Sequence, residues 1–82
     1  MKEKIKEAVS FHTEGHYEKA EEIYYQILDV QPLQPDANHN LGVLKVFNHN
    51  AKEALPFLEK AIKSNHNIEQ YWLSYINALI NI

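Results

Sequence analysis

Hydrophobic residues recur at steps of three and four along most of the chain, and this spacing predicts amphipathic α-helices. The first predicted helix carries the pattern at Ile5, Ala8, Val9 and Phe11. Gly15 then interrupts it, as a left-handed residue does just past a helix end. A second helix is predicted from about Tyr17 to Val30, and Pro32 and Pro35 separate it from a third helix over roughly residues 36–47.

The second turn and the fourth helix are predicted from asparagine and proline. Asn48 and His49 occupy the place that the glycine holds in the first turn, and asparagine is the usual non-glycine residue in a left-handed turn. Asn50 with Glu53 resembles a capping box that opens the fourth helix. Because Pro56 removes a backbone donor, we expect a kink in this helix or a late start near Glu53.

A fifth helix is predicted after Asn67, which together with Gln70 resembles another capping box, and this helix fills the rest of the chain. Its apolar residues spread around nearly the whole circumference, as is normal for a helix buried on all sides. No segment shows the alternation of a strand. The sequence therefore predicts an all-α fold, and its 82 residues suit a single domain over residues 1–82.

The helical pattern repeats along the chain. Shifting the sequence so that Ala8 falls on Gly42 also superimposes the pairs Ala20 and Ala54, Tyr24 and Leu58, and Ile27 and Ala61. A second, equal shift brings Trp72, Tyr75, Ile76 and Leu79 to the place of a new first helix. The small residues would let neighbouring helices approach closely, while the bulky ones fill the space between them. The shift is about 34 residues, which is the length of a tetratricopeptide helix–turn–helix unit.

At these positions the sequence resembles the tetratricopeptide repeat family. The first unit supplies Phe11, Gly15, Tyr17, Ala20, Tyr24 and Pro32, and the second supplies Leu41, Gly42, Ala54, Leu58 and Ala61. The chain departs from the family pattern at Glu7, Lys45 and Ile76. The resemblance implies an α–α superhelix of two helical hairpins plus a fifth helix. Its units are repeat 1 over about 1–34, repeat 2 over about 35–68, and a partial third repeat or capping helix over about 69–82.

The resemblance also implies a concave groove, lined by the first helix of each unit, that binds a peptide or a helix. The candidate groove residues are Ile5, Val9, His12, His39, Asn40, Val43, Phe47, Leu73 and Asn77. The carboxylate clamp of some family members is incomplete here, because Ile5 and Val9 stand at two of its positions. The expected function is therefore a non-catalytic interaction module whose partner is a protein or peptide.

The fifth helix predicts a second surface. Tyr75, Leu79 and Ile82 would face a missing partner helix, whereas Trp72 and Ile76 would pack back on the second unit. Leaving three large apolar side chains exposed forfeits roughly 5–9 kcal/mol, against a total stability of about 5–15 kcal/mol. Either the chain is the amino-terminal piece of a longer solenoid, or this surface pairs with a second copy. For the 82-residue chain itself we expect a homo-oligomer, most simply a two-fold dimer, whose interface candidates are Trp72, Tyr75, Leu79 and Ile82.

Charge and chemistry narrow the function further. Eleven acidic residues stand against eight lysines and no arginine, so the net charge is −3 and nucleic acid is not an expected partner. The chain has no cysteine, and Gly15 separates His12 from His16, so we expect no metal site and no cofactor. No nucleophile stands at a regular spacing from a base, and we therefore expect no enzyme activity.

The ends of the chain bear on localisation. Residues 1–7 alternate in charge, and the apolar stretch 68–82 is shorter than the roughly 20 residues of a membrane span, so we expect a cytoplasmic protein without membrane contact. As an alternative, residues 36–44 and 53–58 resemble units ahead of bacterial glycosyltransferase and sulfotransferase domains. That resemblance implies an oligomerisation or targeting segment of a larger enzyme. Abundant Asn, Ile and Lys without Arg favour an AT-rich, bacterial source.

Overall fold

A computed structural model describes residues 2–82, which form five α-helices and no strand. The helices are α1 (Lys2–Thr13), α2 (Tyr17–Val30), α3 (Pro35–Phe47), α4 (Ala51–Ser64) and α5 (Glu69–Ile80). Both bounds of α4 follow those of α2 by the repeat period, and α5 begins one period after α3. The predicted all-α class is confirmed.

The turn between α1 and α2 follows from Gly15. This residue has a φ of 86°, which a glycine adopts without a steric penalty. The amide of His16 donates to the carbonyl of Phe11 at 2.8 Å, and the amide of Gly15 donates to the carbonyl of His12 at 3.2 Å. These two bonds form a Schellman motif, so the turn both ends α1 and pairs two of its free carbonyls.

The turn between α3 and α4 has the same geometry without a glycine. His49 has a φ of 66°, and its amide donates to the carbonyl of Val46 at 3.0 Å. The amide of Asn50 donates to the carbonyl of Lys45 at 2.8 Å, which completes a second Schellman motif. The left-handed residue is thus His49 and not the neighbouring Asn48, whose φ is −88°.

The structure corrects both predicted capping boxes. Asn50 is the N-cap of α4, but its φ and ψ of −114° and 49° lie outside the extended region, and its side chain makes no cap bond. The helix does not start late near Glu53, because the amide of Ala54 already donates to the carbonyl of Asn50, and Pro56 lies inside it. The N-cap of α5 is Ile68, not Asn67.

Helix α3 occupies the centre of the fold and packs against all four other helices. Its N-terminus is fixed by Gln34, whose side-chain oxygen accepts a hydrogen bond of 2.6 Å from the amide of Ala37, with Pro35 in the first turn. The main core cluster consists of Ala8, Ala20, Ile23, Tyr24, Ile27, Ala37, Leu41 and Leu44. Two smaller clusters, built around Leu58 and Ile62, join α4 to α5. Although α3 is central, one of its sides, next to α5, remains partly exposed to solvent.

Candidate functional site

A groove with a volume of about 560 Å³ opens between α3 and α5. Its lining residues are His39, Asn40, Val43, Val46, Phe47, Gln70, Leu73, Ser74, Asn77 and Asn81. None of these side chains is acidic, lysine or arginine, and His39 is the one titratable group among them. Volumes of this order are typical of ligand pockets. Two other hollows of about 550 Å³ are each lined by one short segment, over residues 15–22 and 31–35, whereas two helices line this groove, and it is therefore the candidate site.

The apolar part of the groove comes from both helices. Val43 and Val46 are half-buried on α3, whereas Phe47 at its end and Leu73 on α5 are 58% and 50% exposed. The ring of Phe47 packs against the ring of Tyr17, and the two ring centroids lie 4.9 Å apart. The groove therefore presents large apolar side chains that a partner could cover.

Histidine 39 forms the polar floor of the groove. Its Nδ1 lies 3.1 Å from Oδ1 of Asn40, and its Nε2 lies 2.7 Å from Oγ of Ser74. Because the amide oxygen of Asn40 can only accept, Nδ1 carries the proton of a neutral ring and Nε2 accepts from the Ser74 hydroxyl. Gln70 also donates to Ser74 Oγ, at 3.4 Å. The bond between His39 and Ser74 joins α3 to α5 at the base of the groove.

A second side-chain link lies next to the first. The Tyr71 hydroxyl donates to Oδ1 of Asp36 at 2.8 Å, and its ring lies against the His39 ring with centroids 4.8 Å apart. Burial raises the pKa of Tyr71, with the Asp36 carboxylate acting in the same direction. Burial lowers the pKa of His39, while the Asn40 bond and the charge of Asp36 oppose that shift. The Tyr71 phenol and the His39 imidazole are thus both uncharged at neutral pH.

The lysine of α3 contacts α2 and α4 instead of the groove. Lys45 on α3 lies between Glu21 and Glu53, with its ammonium 3.8 Å and 3.7 Å from their carboxylate oxygens. It also lies over the ring of Tyr25, 5.6 Å from the centroid. The ammonium of Lys45 therefore pairs with carboxylates of α2 and α4, and the groove lining contains no charged side chain.

The structure brings some predicted groove residues together and leaves others apart. Those that line the groove are His39, Asn40, Val43, Phe47, Leu73 and Asn77. The three candidates on α1 do not line it. Ile5 packs on the main core, Val9 is 36% exposed, and His12 lies 3.3 Å from the Tyr24 hydroxyl through its Nδ1. Burial also lowers the pKa of His12.

The predicted oligomer candidates lie on a different side of α5 from the groove, and two expectations about this helix are wrong. Tyr75 does not face a missing partner helix. It is half-buried against α4, and its hydroxyl donates to Glu59 at 3.3 Å. Trp72 and Ile76 do not pack back on the second unit as the sequence predicts, since they are 44% and 49% exposed. The side of α5 that packs back is instead formed by Tyr71, Ser74 and Ala78. Leu79 and Ile82 are exposed.

Sequence reasoning missed the residues that close the groove floor. Ser74 and Asn81 carry no motif, and the sequence singles out Gln70 only as a capping residue. Ser74 stands 35 positions after its partner His39. The sequence period is the one signal that could have found this pair, since a shift of about 34 residues carries position 39 on α3 to position 73 on α5. Ser74, the residue after position 73, is the one that contacts His39.

Within residues 2–82 no group of three histidine or carboxylate side chains lies close enough to hold a metal ion. Over the same residues, every helix is too short or too polar to cross a bilayer. No family model matches the sequence, and no curated protein matches it.

Proposed function

We propose that the chain is a tetratricopeptide-type module that binds a peptide or helix of another protein in the groove between α3 and α5. In this proposal, α1–α2 and α3–α4 are two hairpins of a superhelix and α5 opens a third unit. The recurrence of the helix bounds at one fixed interval supports it, as does the burial of Ala8, Ala20, Gly42 and Ala54 at equivalent positions. The module performs no reaction.

The observation that carries the proposal is the composition of the groove. Phe47 and Leu73 expose large apolar side chains beside the half-buried Val43, while the exposed Asn77 offers an amide group. Apolar side chains supply most of the free energy of association, and carboxamides can pair with a peptide backbone. An exposed surface of this kind is typical of a binding site.

The test is a peptide selection with matched variants. Peptides would be selected from a random displayed library against the wild-type protein, and their affinities measured by fluorescence polarisation. We expect the double variant Val43→Glu, Phe47→Glu to lose at least about tenfold in affinity, since a carboxylate in the groove has no counter-charge. Val30→Glu, which changes a valine exposed at the end of α2, is the control and should bind like wild type.

Circular dichroism would establish that both variants keep their helices. Peptides that bind the groove variant as tightly as the wild type would refute groove recognition.

A second proposal is self-association through α5. It is supported by the exposed apolar side chains of this helix, which include Trp72, Leu73, Ile76, Leu79 and Ile80. Exposed patches of this kind are typical of protein interfaces. Light scattering across a dilution series should show a dimer that dissociates on dilution, and a monomer at every concentration would exclude it.

A further inference from the structure

We propose that a second copy of the chain fills the groove. In this arrangement α5 of each protomer lies in the α3–α5 groove of the other, so the two copies of α3 and α5 form a four-helix contact around a two-fold axis. The inference rests on the proposed function, because it takes the groove to be an interaction surface, and it names the partner.

Charge favours the groove over the opposite side of α5. Residues 70–82 contain no acidic, lysine or arginine side chain, which makes them the longest such run in the chain. The groove lining is equally free of these residues. On the outer side, the cleft beside Trp72 includes Glu59 and Lys63 from α4. Covering those charges would remove their water, and interface cores are depleted of charged residues. A neutral helix is therefore better matched to the neutral groove.

The geometry of α5 points the same way. Leu73, Ile76 and Ile80 are 50%, 49% and 77% exposed, and they are spaced by three and four residues. Residues at this spacing share one face of a helix, which is the arrangement that packs against a second helix at a shallow angle. Of these three residues Leu73 lines the groove, so the stripe starts at its α5 wall and continues over the adjoining exposed surface of the helix. In a dimer, α5 of one protomer would thus form a wall of its own groove and supply apolar side chains to the groove of its partner.

A two-fold axis makes these features complementary. An antiparallel pairing of α5 centred near Asn77 places Leu73 of one protomer beside Ile80 of its partner, and the reverse. The exposed Asn77 side chain then meets its own copy, and a carboxamide both donates and accepts, so the pair satisfies itself. An asparagine pair at such a position also fixes the register of two helices.

The area required also favours two helices per protomer. A stable interface buries about 800 Å² on each partner, out of a total accessible surface of 5312 Å² for this protein. A helix of 12 residues such as α5 is only about 18 Å long. The groove adds α3, with the exposed Phe47 at its end, to the contact. As a consequence, self-association and binding of another peptide in the groove exclude each other.

The experiment compares two leucines of one helix. Leu73 and Leu79 are 50% and 46% exposed, and they lie about 120° apart around α5. Sedimentation velocity of the full chain from about 1 to 500 μM would give the dimer dissociation constant. We expect Leu73→Glu to raise it at least about 100-fold and Leu79→Glu to change it less than about threefold. Ile80→Glu, at the exposed helix end, should act like Leu73→Glu without affecting folding.

A cross-link provides a second measurement, since the chain contains no cysteine. Under air oxidation Asn77→Cys should form a disulfide-linked dimer at concentrations where Leu79→Cys stays monomeric. A monomeric wild type over the whole range, dissociation by Leu79→Glu but not by Leu73→Glu, or faster cross-linking of Leu79→Cys would each overturn the inference. The proposed function has a separate test: it is wrong if the selected peptides bind the groove variant as tightly as the wild type. If the wild type is a monomer and its peptides lose affinity for the groove variant, only the inference is wrong.

Discussion

At the scale of single residues, Gly42 allows the closest approach of α3 and α4. A Cβ atom added at this position would lie 2.5 Å from Cδ2 and 2.6 Å from Cγ of Leu58. Leu58 is fully buried, so a shift of its side chain would also displace the side chains packed around it. Gly15 contrasts with it: a Cβ there would meet nothing within 4 Å, and its requirement is the positive φ alone. The two glycines are therefore needed for different physical reasons.

Gly42 yields a prediction in which the sign of the effect depends on Leu58. Gly42→Ala should lower the free energy of unfolding by about 1–2 kcal/mol, because overpacking outweighs the better helix propensity of alanine. In a Leu58→Ala background the clash is absent, and the same substitution should raise stability by about 1 kcal/mol. Urea unfolding of the four proteins measures both effects. A loss of equal size in both backgrounds would show that Leu58 does not limit this position.

The sequence predicts some of these residues and not others. The repeat identifies Ala20 and Ala54 as equivalent, and both are fully buried, because small residues at helix crossings are a local property of the sequence. The role of Ser74 could not be predicted, because it depends on a hydrogen bond to the imidazole of His39, which lies on another helix. The same reasoning selects groove residues on α1, α3 and α5, yet only those on α3 and α5 lie together.

At the scale of helices, the predicted bounds are most accurate where the signal is steric. The prediction of Tyr17 to Val30 for α2 is confirmed, because Gly15 permits the left-handed turn before the helix and Pro32 lacks the amide that would continue it. The predictions based on capping failed at Asn50 and Asn67. A capping box requires an extended backbone at the N-cap, which three sequence positions cannot specify, and the amide of Asn67 instead donates to the Asn65 side chain at 3.2 Å.

The link between α3 and α5 should make stability depend on pH. Burial lowers the pKa of His39 below its ordinary value, so the unfolded chain takes up a proton near about pH 6.5 while the folded protein does not. The unfolded state then binds more protons, and stability is full above about pH 6.5 and falls as the pH drops below it. The lowered pKa of His12 adds to the effect.

We expect the urea midpoint of the wild type to fall between about pH 7.5 and about pH 5.5, a window above the ordinary range of carboxyl groups. His39→Gln, which keeps an amide in the place of the imidazole, should reduce that slope. His66→Gln, at an exposed position, is the control and should retain the wild-type slope. If His39→Gln keeps it as well, the imidazole does not couple the helices to pH.

At the scale of the whole molecule, the packing is graded along the chain. α3 contacts α1, α2, α4 and α5, whereas α1 contacts only α2 and α3 among the described helices. α3 also buries five residues, namely Ala37, Asn38, Leu41, Gly42 and Leu44, while Ala8 is the one buried residue described on α1. Local opening is governed by such differences in packing, so the ends of the molecule should open without the centre.

Amide hydrogen exchange followed by mass spectrometry tests this gradation and the proposed dimer together. Amides of α3 should exchange slowest and those of α1 faster, at every protein concentration, because the packing within one chain does not depend on a partner. Exchange in α5 should slow as the concentration rises, since mass action favours the copy that covers it. Leu73→Glu should abolish that dependence while leaving the order of α3 and α1 intact. Protection of α5 that ignores both concentration and Leu73→Glu would mean that its stability comes from α3 and α4 alone.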